Sequence, residues 1–333
     1  MTKVLVVGAT GQLGARIVNR MSRRNDRAVR ALVRPSSEAG SLFESNVEIS
    51  CGDLRDKQSL IRACEGVDVV VATATVVFPK GRYSFHDDEK VGYQNLIDAC
   101  AQCGVKQFIF ISLSIPFRQE YLRRSLTFRM KAWVESRLEA SRLSYTVLKC
   151  SPFMDDYFAL IGSRIPLQGE KAATLNRARG MTRALRQKFG DSVEKYGLAV
   201  VPGPADNRHT FVAIEDVVSY VDAMTANPEA YRKTYDVGGP AALSWKDVGG
   251  LYATLLNRPI AVRSLPLPLL RFFIWAAKPF SEALSNQTSI LWVLGKSETN
   301  FDSGKLSRQF GVRLTSARTY LEGKFKQAGV RFS

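Results

Sequence analysis
The residues best suited to chemistry in this chain are a glycine-spaced turn near its start and a few lysine, tyrosine and serine candidates further on. Gly8-Ala9-Thr10-Gly11-Gln12-Leu13-Gly14 directly follows the apolar run Val4-Leu5-Val6-Val7. At Gly8 and Gly11 backbone N–H groups can approach a pyrophosphate with no Cβ in the way, and Gly14 lets the following helix pack close. That helix, expected from about Gln12 to Ser22, points its positive end at the phosphates. The chemistry indicated is the holding of a dinucleotide, with Gly8, Thr10, Gly11, Gln12, Leu13 and Gly14 as contacts.

The end of the second strand decides which dinucleotide. An acid there would accept hydrogen bonds from the ribose hydroxyls of NAD, but the chain offers Arg34-Pro35-Ser36-Ser37. A guanidinium grips phosphate bidentately, and no carboxylate repels it, so Arg34 favours a 2′-phosphate and NADP(H) over NAD(H). The alternative reading of Arg34 as a solvated surface arginine stays open.

These residues need a scaffold, and the pattern supplies one. Residues 28–33 read as a second strand completing a βαβ unit, 47–50 as a third and Val69–Ala72 as a fourth. In a doubly wound sheet the carboxyl ends of strands line the ligand crevice, which places Asp53, Leu54, Ala72 and Thr73 against adenine and ribose. A helix around 92–99 leads to a fifth strand over 107–111, which ends at Ser112-Leu113-Ser114. A helix over about 125–141 leads to a sixth strand over 145–149, which delivers Pro152 and Phe153 to the cofactor side. The fold class is therefore α/β, a Rossmann-type doubly wound parallel sheet over residues 1–153 with a smaller carboxyl-terminal substrate lobe over 154–333, interleaved with the core. Residues 197–201 and 234–237 read as late strands.

Together these motifs resemble the NmrA-like branch of the atypical short-chain dehydrogenase/reductase family, within the extended superfamily of that name. The resemblance rests on the turn from Gly8 to Gly14, on Gly52-Asp53-Leu54, on Phe211-Val212-Ala213-Ile214-Glu215-Asp216-Val217 and on Tyr235-Asp236-Val237-Gly238-Gly239-Pro240. It implies that the first two contact the cofactor and the last two build the substrate-side lobe. In the typical short-chain reductase a tyrosine stands four residues before a lysine on one helix and protonates the carbonyl. Here Lys131 lies on the expected helix, but Thr127 stands at the tyrosine position. The resemblance assigns Lys131 to the nicotinamide ribose.

Threonine has too high a pKa to act as an easy proton donor. Ser112, Ser114, Tyr121 in the connecting stretch and Tyr157 are the remaining candidates, each with an equally plain structural role. A conjugated or quinonoid acceptor needs little help from an acid, because its anion is delocalised. The expectation is thus an NADPH-dependent reductase of a hydrophobic carbonyl, quinone-like or conjugated ring substrate. The alternative is a non-catalytic NADP-binding sensor or assembly factor of a membrane complex, and a nucleotide-sugar epimerase ranks third because the tyrosine is missing.

Composition narrows the partners. With 333 residues, 45% of them hydrophobic, the chain can bury a large core. Its five cysteines suit a reducing compartment, and the C-x-x-C pair Cys100/Cys103 lacks the partners a metal would need, since only His86 and His209 are present. The formal charge of +16 asks for an anionic partner. NADPH itself, a membrane surface and nucleic acid compete, and nucleic acid comes last because no helix-turn-helix, zinc finger or RNA-binding aromatic signature accompanies the charge. With no signal peptide or spanning segment evident, the expected location is the cytoplasm, including attachment to a membrane face. A basic insertion at 154–196, with Arg164, Lys171, Arg177, Arg179, Arg183, Arg186 and Lys188, reads as a lid or as a solvated surface. The apolar stretch 265–280 reads as a core helix buried through Leu270, Phe273, Ile274 and Ala277, or as an interfacial helix that docks on lipid or protein.

Overall fold
The computed structural model describes residues 1–35, 37, 43–75, 85–177 and 180–329. Alternating strands and helices build its first half: β1 (Thr2–Val7), α1 (Gln12–Ser22), β2 (Arg27–Val33), β3 (Glu48–Cys51), α2 (Lys57–Cys64) and β4 (Val69–Ala72). Then follow α3 (Phe85–Gln102), β5 (Gln107–Leu113), α4 (Gln119–Arg124), α5 (Leu126–Ala140) and β6 (Tyr145–Cys150). All the pairings are parallel, and Val4 of β1 lies between Val29 of β2 and Val69 of β4. Covered on both faces, such strands must be apolar throughout rather than alternating, which is why Val4 to Val7 are all buried. Each fully buried Val or Leu side chain contributes roughly 1.5–3 kcal/mol, so an acid at Val6, between Ala31 and Val71, would unseat the sheet.

After β6 the chain leaves the sheet through α6 (Met154–Leu160), α7 (Gly180–Phe189), α8 (Ser192–Tyr196), β7 (Leu198–Pro202), β8 (Arg208–His209) and α9 (Ile214–Met224). It then returns with β9 (Lys233–Val237), which pairs parallel to β6 and gives the sheet order β3-β2-β1-β4-β5-β6-β9 among the described residues. Of the two late strands read from the sequence, 234–237 thus belongs to the main sheet. Residues 197–201 fall on β7, which pairs instead with β11 (Ala261–Leu265). The rest of the lobe comprises β10 (Leu243–Ser244), α10 (Trp245–Leu256), α11 (Leu267–Ala277), α12 (Glu282–Lys296), α13 (Gly304–Phe310) and α14 (Ala317–Gln327).

Two cores sandwich the sheet. Ile17, Val18 and Met21 of α1 meet Val217 and Val221 of α9 and the Val4 and Val6 side of β1. Leu5 and Val7 face the other way, toward Leu60 of α2, Leu96 of α3 and Val134 of α5. A third core fills the lobe around Phe158, Phe211, Trp245, Tyr252, Trp292 and Phe325. The strand order reverses between β1 and β4, and at such a switch point the carboxyl ends of the strands open a crevice.

Candidate functional site
The turn after β1 sits at that switch point. Gly8 has φ +88°, and a Cβ there would lie 2.6 Å from Thr73 Oγ1 and 2.7 Å from the Ala74 nitrogen, so no other residue fits without moving β4. Thr73 braces the turn: its N–H and its hydroxyl both donate to the Val7 carbonyl, at 2.9 and 3.1 Å. The Gly11 N–H donates to the Gly8 carbonyl at 2.9 Å. A Cβ on Gly14 would lie 2.2 Å from that same carbonyl, so α1 rests directly on the turn. No side chain caps the start of α1 and no acid lies in its first turn. Leu13 anchors the helix in the core.

Gln12 is buried, and neither polar atom of its carboxamide has a hydrogen-bond partner. A buried amide left unpaired is costly, so this is the mark of a place built to meet a polar group. A bare helix start, glycines that a Cβ would crowd and an orphaned amide together fit the phosphates of a dinucleotide. A cavity of about 320 Å³ runs alongside, lined in part by Gln12, Arg16, Glu170 and Lys171. Arg16 does not add charge to the site, because it pairs with Asp155 at 3.1 Å, with Glu170 and with Glu215 at 3.4 Å.

At the β2 end of the crevice, Arg34 is exposed just past the strand, and its charge helps hold the Asp53 carboxyl below its usual range. The main cause is Arg55, whose Nε and Nη2 donate to Asp53 at 3.0 and 3.1 Å. Leu54 packs against Gly92 of α3, and its carbonyl accepts from Asn95 at 3.1 Å. Ala72 is fully buried at the end of β4. The Tyr93 hydroxyl donates to the Ala74 carbonyl at 2.5 Å, fixing the strand end from the α3 side. Ser36, in the segment read with Arg34, lies outside the described residues.

The other end of the crevice is organised by α5. Lys131 is buried and donates to the Ile111 carbonyl at 2.8 Å, with its ammonium 4.6 Å from the centre of the Phe110 ring. Ser112 donates to Glu135, one turn further along α5, and the opposite oxygen of Glu135 meets Lys149 Nζ at 3.0 Å. Burial raises the Glu135 carboxyl above the usual range. Ser114 has a buried hydroxyl oxygen with no hydrogen-bond partner.

Thr127 is held by Asn286 of α12, whose Oδ1 accepts the Thr127 N–H at 3.3 Å and whose Nδ2 donates to its hydroxyl at 2.9 Å. Tyr121, expected in a connecting loop, instead lies in α4 and is 1% exposed. Its ring packs edge-on against Phe128 and Trp292, at 6.1 and 6.0 Å, because the lobe closes over it. Tyr157, in α6, is packed against the lobe core, and burial pushes its phenol further from ionisation.

Pro152 and Phe153 are fixed by a parallel bridge to Val212: the Val212 N–H donates to Pro152 at 3.1 Å and the Met154 N–H to Val212 at 2.9 Å. Beside them the Ser151 hydroxyl meets those of Thr210 and Thr299 at 3.1 and 2.9 Å. This hydroxyl cluster, Glu135 and Asn286 are features that the sequence reading missed.

The basic insertion is partly paired. Arg164 meets Asp191 at 3.3 Å and Arg186 donates to the Leu175 carbonyl. Arg179 lies outside the described residues, and so do the side chains of Arg177 and His86. His209 is fully buried between Phe211 and Trp245, and burial pushes its pKa down to about 4. Among the described residues no group of three or more His, Cys, Asp or Glu is placed to hold a metal.

A parallel sheet of this order, with a glycine turn and an uncapped helix start at its switch point, defines the Rossmann-type class of α/β proteins. Within it, the chain belongs to the NmrA-like family, whose model matches residues 1–315. A photosystem II assembly factor, Ycf39 of Synechocystis sp., is 27% identical over 339 residues, covering 97% of this chain and 90% of that protein. Its counterpart from Cyanophora paradoxa is 34% identical over 152 residues, 45% of this chain and 45% of the relative, so that match spans less than half of the relative's length.

Among solved structures, the NADPH-dependent quinone oxidoreductase QOR2 of Escherichia coli has a TM-score of 0.69 and 17% identity, over 97% of this chain and 99% of that one. The triphenylmethane reductase of Citrobacter sp., complexed with NADP(H), has a TM-score of 0.67 and 17% identity, over 97% and 100%. At these identities the likeness establishes the shared fold.

Proposed function
We propose that this chain binds NADP(H) across the Gly8–Gly14 turn and reduces a hydrophobic carbonyl, quinone-like or conjugated ring compound. The observation that carries this reading is the contrast within one crevice between a braced, uncapped phosphate-facing turn and an α5 whose usual acid position is Thr127, tied to Asn286. NADPH would supply a hydride, and a delocalised acceptor anion takes its proton from water. Gly8, Thr10, Gly11, Gln12, Leu13 and Gly14 seat the pyrophosphate, with Asp53, Leu54, Ala72 and Thr73 around the adenosine. Arg34 clamps the 2′-phosphate and so selects NADP(H) over NAD(H). Pro152 and Phe153 border the nicotinamide, and Lys131 sets the positive potential beside its ribose.

The names of the structural neighbours, a quinone oxidoreductase and a dye reductase, support this acceptor class. The test is NADPH consumption against a panel of quinones, enones and triphenylmethane dyes, with Lys131→Met as control. Turnover with at least one class, reduced about tenfold or more in the control, is expected. Tight NADPH binding without consumption by any acceptor overturns the catalytic half of the reading. That outcome supports the second reading, a non-catalytic NADP-binding assembly factor, which the near full-length likeness to Ycf39 and the pairing of Ser112 with Glu135 and of Thr127 with Asn286 favour.

A further inference from the structure
Within the segment from 265 to 280 the chain forms α11 (Leu267–Ala277), and only one of the helix's residues, Leu270, is buried. Leu270 and Ile274 pack inward, with Ala277 on the same stripe, and the Ile274 carbonyl accepts the Ser285 hydroxyl of α12 at 2.9 Å. Phe273, expected on that buried stripe, is instead half exposed, because α11 packs on α12 through its Leu270 and Ile274 side and its aromatic side stays open among the described residues. The outward face is apolar along its whole length: Leu269, Phe272, Phe273 and Trp275 are 39, 55, 48 and 73% exposed, and Phe280 just beyond is 88% exposed. Phe272 gathers the rings of Phe273 and Trp275 around it, at 6.0 and 6.1 Å. Contiguous exposed aromatics of this kind mark a contact surface.

The surrounding charge is one-sided. Residues 248–281 contain no Asp or Glu but include Arg258, Arg263, Arg271 and Lys278. Arg271 and Lys278 fall on one border of the helix, between its packed and its open faces. Glu120, whose carboxylate feels Arg271, is already paired with Lys296 at 2.5 Å and Arg124 at 3.6 Å, and with Glu282 at the start of α12 counted the cations of this stretch still outnumber the acids. No described helix is long and apolar enough to cross a membrane. An amphipathic helix with Trp and Phe outward and cations along its edge has the composition that settles into the boundary between lipid headgroups and acyl chains.

We propose that α11 is a membrane-docking helix that inserts Leu269, Phe272, Phe273, Trp275 and Phe280 into the interface of an anionic bilayer, with Arg271 and Lys278 at the headgroups. This goes beyond the reductase reading and does not rest on it. The charge complementarity selects lipid over an apolar protein groove, because each cation at the rim gains from an anionic surface.

The test is flotation of the full chain with phosphatidylglycerol vesicles and with phosphatidylcholine vesicles, alongside the tryptophan emission. The wild-type chain is expected to float with the anionic vesicles, to bind the neutral ones about tenfold less well and to release in high salt, with a blue shift of emission on binding. Phe272→Ser with Trp275→Ser and Phe280→Ser is expected to lower binding at least about tenfold while leaving the melting temperature near wild type, since these side chains are outside the core. Trp275→Phe should keep binding and lose the blue shift. Failure to float, equal binding by the triple variant, or a concentration-dependent dimer that the triple variant abolishes without any vesicle binding would overturn the proposal.

Discussion

At the end of β1 the crevice is shaped by backbone, whereas at the end of β5 it is shaped by side chains that hold one another. Gly8 and Gly14 leave no room for Cβ atoms, and Thr73 braces the turn from the end of β4 while the helix start stays uncapped. Around α5, Lys131 is bound to Ile111, Ser112 to Glu135 and Thr127 to Asn286. A backbone cradle binds any ligand with the right anion and is indifferent to the chemistry at the other end. A set of mutually satisfied side chains instead fixes geometry and withholds its protons. The two ends of the crevice can therefore be altered independently.

The most disruptive way to break that contrast is Gly14→Ala. Its Cβ would meet the backbone of Gly8, so NADPH affinity is expected to fall about a thousandfold, roughly 4 kcal/mol, in a fluorescence titration. An unchanged affinity would remove the turn from the binding site. Next comes acid. His209 favours its neutral form in the fold, so its stabilisation is complete above its ordinary value of 6.5 and is lost as pH falls toward about 4. Denaturant unfolding should show stability dropping by roughly 3 kcal/mol over that interval, and His209→Phe should flatten the profile. Because Trp245 lies against His209, its emission reports whether the lobe yields before the Gly8–Gly14 end does.

A smaller effect is expected from Asn286→Leu, which removes both hydrogen bonds to Thr127. Stability should fall by about 1–3 kcal/mol with NADPH affinity unchanged, and a double-mutant cycle with Thr127→Val should show the coupling. If NADPH affinity fell in parallel, the two ends would not be independent. The smallest is Arg34→Ala, expected to lower the NADPH-to-NADH affinity ratio about tenfold, roughly 1.4 kcal/mol. An unchanged ratio would make Arg34 a solvated residue and leave cofactor choice to Arg55 and its neighbours.

Much of this was legible in the residues. The spacing of Leu13, Ile17, Val18 and Met21 set α1 at the bounds observed, because one face of a helix must be apolar to pack on a sheet. The apolar runs of the parallel strands were equally plain. The arrangement around α5 was not, for reasons of distance and environment. Asn286 stands 159 positions from Thr127, and nothing local marks it as a partner. Glu135 was within reach, one helical turn past Lys131 on the inward face of α5, where a carboxylate needs a partner. Tyr121 was placed in a loop because α4 is too short for periodicity to reveal. Phe273 was assigned to the buried stripe because spacing shows which residues share a face, and the outward face of α11 is as apolar as the packed one.

The return of β9 carries a consequence for how the molecule assembles. Until residues 233–237 dock, β6 presents an unpaired edge, and everything from 151 to 232 must be organised, or held aside, before that edge is covered. Pairing across so long a loop is slow, and a bare edge of this kind invites pairing with a second chain. The late strand thus ties completion of the sheet to prior ordering of the lobe, and β9 then takes over from β6 as the terminal strand of the sheet.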